Sequence, residues 1–146
     1  MVESITVVVA GGDDMSPAIT LGEPLELEAV EPDQIRQGDV IVFRRYVLIA
    51  HRVLWSARIH GRTYFITRGD QCPYIDSPVD SRILVGRAKR KWRWVQTSLR
   101  SRILFSVAIL WYIVGTKLIR GRAFRVLNAN VRRVASMCLP KPPADR

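Results

Sequence analysis

At 146 residues the chain is one domain's worth, long enough to bury a core without staples. Its net charge of +10 is unevenly placed: residues 1–85 carry 8 Lys/Arg against 12 Asp/Glu, and residues 86–146 carry 15 against 1. That asymmetry argues against one uniformly basic surface, and Cys72 and Cys138 are too distant in sequence for a disulfide framework or any known metal spacing.

In chain order, Ile5–Val9 is β-branched and apolar and ends at Gly11-Gly12, which reads as a first strand rather than a signal peptide. Pro24 to Ala29 alternates with period two, as a strand wet on one face does. Gln37-Gly38-Asp39 is a turn before the compact strand Val40–Phe43, and Tyr46 to Trp55 reads as the next strand. His60-Gly61-Arg62 is a hairpin turn into Thr63–Thr67. Asp70 to Asp80, with Pro73 and Pro78, is loop, and Ile83–Gly86 closes the set. Short strands at this spacing predict a small, mainly β, antiparallel domain over residues 1–88, barrel-like or folded on itself.

Residues 89–146 form a basic helical extension. Lys89 to Trp94 interleaves cations with two tryptophans, the pattern of a chain meeting lipid headgroups. The charge-free run from Ile103 extends about 14 residues, short of the roughly 20 that span a bilayer unless Lys117 snorkels. Phe124, Leu127, Val131, Val134 and Cys138 then recur at helical spacing, and Pro140 ends that helix. Such an apolar run has no use in a nucleic-acid tail, so the expected partner of 89–139 is an anionic membrane surface, through a single span or an interfacial helix. The bland alternative is that both helices pack on the β-domain.

Four motifs in order carry a resemblance. Gly12-Asp13-Asp14-Met15-Ser16-Pro17 is similar to the nucleophile loop of type I signal peptidases, Gly-x-Ser-Met-x-Pro, with Asp14 where that family has serine. Gly38 to Arg44 resembles its Gly-Asp-hydrophobic strand, His51-Arg52-Val53 its general-base box, and Thr67-Arg68-Gly69-Asp70, followed by Gln71 and Asp76, its final Thr-Lys-Gly-Asp-Asn box. The resemblance implies a signal-peptidase/LexA-like β-domain and work on extended secretory or propeptide segments, with Met15 and Pro17 beside the substrate. By the same resemblance, the histidine is similar to that of the endoplasmic-reticulum and archaeal type, which would make His51 the base and Asp70 or Asp76 its partner. A LexA-like regulator is disfavoured: no helix-turn-helix precedes the domain and the base position is not lysine. No cofactor is implied, and a partner subunit could supply missing groups.

Asp14 has three readings. As a carboxylate it cannot be the nucleophile that His51 activates. It would instead pair with protonated His51 and fill the cleft of a pseudoprotease that still binds peptide. A second reading moves the nucleophile to Ser16. A third makes Asp14 and Asp70 a carboxylate pair acting on water, or a metal site with His51, and the sequence gives this no support. Asp39 suits turn chemistry better than catalysis, and His60 lies outside every motif.

Overall fold

The alternation read from the sequence becomes a single antiparallel sheet in the computed structural model, which describes residues 4–8, 12–90, 98–118 and 122–137. Its strands are β1 (Ser4–Val8), β2 (Pro24–Glu28), β3 (Val40–Arg44), β4 (Leu48–Ile59), β5 (Arg62–Arg68), β6 (Val79–Asp80) and β7 (Leu84–Ala88). Their spatial order is β1-β2-β7-β3-β4-β5-β6, which leaves β1 and β6 at the two ends. The mainly β expectation is met. β6 is an addition, a two-residue strand inside the stretch read as loop.

Local chemistry explains each element. In β2, Leu25 and Leu27 are buried while Pro24 and Glu26 are exposed, the half-wet alternation expected. β3 is buried at Val40, Ile41, Val42 and Phe43, because it runs between β4 and β7 with side chains packed on both faces. The β4–β5 hairpin turns at His60 and Gly61, both at positive φ (50° and 77°), the type I′ arrangement that matches strand twist. A register shift in β4 between Val53 and Trp55 places Leu54 in a bulge.

The core has three parts. Met15, Ile19, Leu25, Leu27, Val40 and Val42 pack on one side of β3, and Ile41, Phe43, Val53, Phe65 and Val79 on the other. The third part joins strands to helices. Leu54, Tyr64 and Ile66 pack with Ile75 and with Phe105, Ile109 and Ala135 from α1 (Leu99–Leu118) and α2 (Arg122–Ser136). Each fully buried aliphatic or phenyl side chain there contributes about 1.5–3 kcal/mol.

The helices therefore do pack on the β-domain, but each keeps an apolar face outward. In α1, Phe105, Ala108 and Ile109 are buried, and Leu99, Ile103, Val107, Leu110, Val114 and Leu118 form an exposed stripe. The α1 N-terminus is held by Arg102 over the Trp55 ring and by Trp55 Nε1 donating to Ser106 Oγ at 3.1 Å. α2 is the surprise. It docks through polar side chains: Asn128 and Arg132 reach Ser77 Oγ, and Ser136 Oγ accepts from Ile75 N–H. Leu127 and Val134, on the apolar stripe read from the sequence, face out. No helix among the described residues is long and apolar enough to cross a membrane, so the single span is not found there. Trp92, Trp94, Cys138 and Pro140, and the side chains of Lys117 and Phe124, lie outside the described residues.

Candidate functional site

β4 presents His51 and Arg52 consecutively, and strand alternation sends them to opposite faces. His51 is buried beside Phe43, whose ring meets the imidazole edge-on at 6.2 Å. Its Nδ1 lies 2.6 Å from Asp76 Oδ2, and Thr67 Oγ1 donates to the same oxygen at 2.7 Å. A carboxylate only accepts, so Nδ1 carries the proton and Nε2 is the ring nitrogen open to other groups.

Asp76 is held from two sides. Its N–H donates to Thr67 O at 2.8 Å. Its neighbour Ile75 is gripped by α2 through the Ser136 hydroxyl and the Arg132 guanidinium, whose Nε donates to Ile75 O. Burial lowers the Arg132 pKa, with the Asp76 charge acting in the opposite direction. The extension thus positions an acidic residue of the site.

Asp70 is not the histidine's partner. It is engaged by Arg52, with Nε donating to Oδ1 at 2.8 Å and Nη2 to Oδ2, while Arg52 Nη1 caps Gly38 O. Arg52 and Asp70 are both buried, so the pair locks the Gly38 turn to the 69–76 loop. The physical reason is competition: a guanidinium matches both carboxylate oxygens at once, which an imidazole cannot. An Asp14–Asp70 carboxylate pair is thereby removed as well.

The loop after β1 is anchored by its apolar members. Met15, Ala18 and Ile19 are buried, Gly12 turns at φ +84°, and Ser16 N–H donates to Asp13 O. Gln71 binds this loop twice, through its N–H to Asp14 O at 2.8 Å and its side-chain amide to Ser16 O at 2.9 Å. Gly69 makes the approach feasible: a Cβ there would sit 2.8 Å from both Asp14 O and Cys72 Sγ.

This packing brings together a trio that the spacing of the cysteines did not suggest. One donor atom each from Asp14, His51 and Cys72 lies within 4.8 Å of the others. The expected Asp14–His51 ion pair does not form among the described residues; the Asp14 carboxylate takes a hydrogen bond from the Cys72 thiol. Burial, that hydrogen bond and the charges of Asp14 and Asp76 push the thiol up to about 11, partly offset by the Gly69 backbone. Cys72 is the residue that reading the sequence missed, having passed as an ordinary loop thiol. Its signal was its place inside the Thr67–Asp76 box.

Asp14 and His51 line a cleft of about 620 Å³, together with Val7 and Val8 of β1, Met15, Val42, and Val47 to Ala50. Of the two residues expected beside substrate, Met15 lines it and exposed Pro17 does not. Ser16 hydrogen-bonds through its main chain and has no bond to His51 among the described residues. No protein-family model matches the chain, and no solved structure matches it.

Proposed function

We propose that this chain is a signal-peptidase-like protein that binds an extended peptide or precursor segment at a membrane surface, without ordinary serine catalysis. The observation that carries the reading is the cleft. Its walls are mostly apolar, it runs beside the end strand β1, and its lining includes His51 with an ordered acidic partner. An end strand offers unpaired main-chain groups to an extended peptide, and alternate peptide side chains would enter the apolar walls. At the position that aligns with the family's serine, Asp14 offers an acceptor and no transferable nucleophilic proton.

The membrane half of the proposal rests on the helices. α2 turns polar side chains to the protein and leaves Leu127 and Val134 exposed, α1 exposes its apolar stripe, and residues 86–146 carry 15 Lys/Arg against one acidic residue. Apolar faces flanked by Arg and Lys suit an anionic interface.

The test uses fluorescent secretory-precursor peptides with the full chain, Asp14→Ser and His51→Ala. The parent binds without cleaving, and Asp14→Ser cleaves in a His51-dependent way. Absence of binding, or parent cleavage that survives His51→Ala, contradicts the reading. For the membrane, the chain co-sediments with anionic vesicles and much less with the Leu110→Glu/Val114→Glu variant; equal sedimentation of both removes the interfacial role of α1.

A further inference from the structure

We infer that Asp14, His51 and Cys72 form a binding site for a divalent transition metal of the zinc class. The three donors are an oxygen, a nitrogen and a sulfur from three separate chain segments, gathered within 4.8 Å of one another. Around a tetrahedral zinc, with bonds of about 2.0–2.3 Å, donors lie roughly 3.3–3.7 Å apart. The trio therefore needs to draw in by about 1 Å. Asp14 is exposed and Cys72 lies in a loop, so side-chain rotation can supply this.

The surroundings fit a metal. The Asp76 carboxylate on Nδ1 of His51 is the outer partner that metal-ligating histidines carry: it fixes the tautomer with Nε2 free and raises ligand basicity. Thr67 holds that carboxylate in turn. One carboxylate and one thiolate neutralise a doubly charged ion, and a set that includes sulfur and imidazole selects zinc or cobalt over magnesium or calcium. Three protein ligands leave a fourth position for water or a carbonyl oxygen, and Asp14 and His51 face the cleft. Gly69 is the hinge of the arrangement, since a Cβ there would press on both Asp14 and Cys72. The site stands on these side chains and does not depend on what occupies the cleft.

The experiment is cobalt(II) titration of the full chain after chelator treatment, read by absorption and by competition with zinc(II). One cobalt per chain binds, with a thiolate-to-cobalt charge-transfer band and intense tetrahedral visible bands. Zinc(II) abolishes both. Cys72→Ser loses the charge-transfer band and Cys138→Ser keeps it. Asp14→Asn, an isosteric change at an exposed position, weakens affinity at least tenfold. Asp76→Asn weakens it by about 10–100-fold, the usual effect of removing an outer partner. Failure to bind cobalt, a charge-transfer band that persists in Cys72→Ser, or equal affinity in Asp14→Asn overturns the proposal.

Discussion

His51 and Arg52 are neighbours on β4, and each takes a carboxylate from the same loop, yet the two pairs do opposite work. Arg52–Asp70 is closed: both carboxylate oxygens and three guanidinium nitrogens are satisfied in a buried setting. His51–Asp76 is half-open, because the pairing uses one ring nitrogen and leaves the other for a further partner, on a side chain that gathers with Asp14 and Cys72. A pair with no remaining valence is architecture, whereas one that orders a group and leaves its second atom unspent is a site.

The largest effect separating the pairs is on stability. Asp70→Ala leaves the buried Arg52 guanidinium without its carboxylate, and chemical denaturation should show a loss of about 3–5 kcal/mol. Asp76→Asn keeps a hydrogen-bonding side chain near Thr67 and should cost only about 0.5–1.5 kcal/mol. Equal losses would erase the distinction.

Gly69→Ala comes next, at about 1–3 kcal/mol from forced displacement of backbone, with Cys72 labelled by iodoacetamide faster than in the parent. Unchanged stability and labelling would mean that the close approach of the two loops is not required.

Ser136→Ala removes the acceptor for Ile75 N–H and should cost about 1 kcal/mol, with faster hydrogen exchange at Ile75 and Asp76. Exchange unchanged in the 75–77 segment would separate α2 from the site.

The smallest effect is on titration. In metal-free protein, alkylation of Cys72 should rise with pH through about 11. Because the folded pKa is raised, this thiol's contribution to stability is complete below its ordinary value of 9.0 and is lost as pH climbs toward 11. Asp14→Asn, which removes a charge that raises the pKa, moves the alkylation midpoint down; an unmoved midpoint would deny the thiol–carboxylate contact.

What could be read from the sequence follows the physics of each feature. Period-two alternation and turn residues are local, so the strands and the Gly38 and Gly61 turns were legible to within a few residues. β6 was not, because two residues between prolines and a 3₁₀ turn carry no period. His51 stood out through its motif, but spacing could not choose between Asp70 and Asp76, since the choice depends on Arg52 capturing Asp70 across the sheet. Cys72 was hidden for the same reason: its neighbours Asp14 and His51 come from distant segments, joined by a glycine contact. For α2, periodicity identifies an apolar face but not which face docks, and polar partners at Ile75 and Ser77 decided it.

The most direct test of the half-open pair is nitrogen-15 NMR of the His51 imidazole at a pH where the ring is neutral, with His60→Gln for assignment. The account predicts a proton on Nδ1, an unprotonated Nε2, and movement of the Nε2 resonance on addition of zinc(II). A proton on Nε2, or an Nε2 resonance indifferent to zinc, would contradict it.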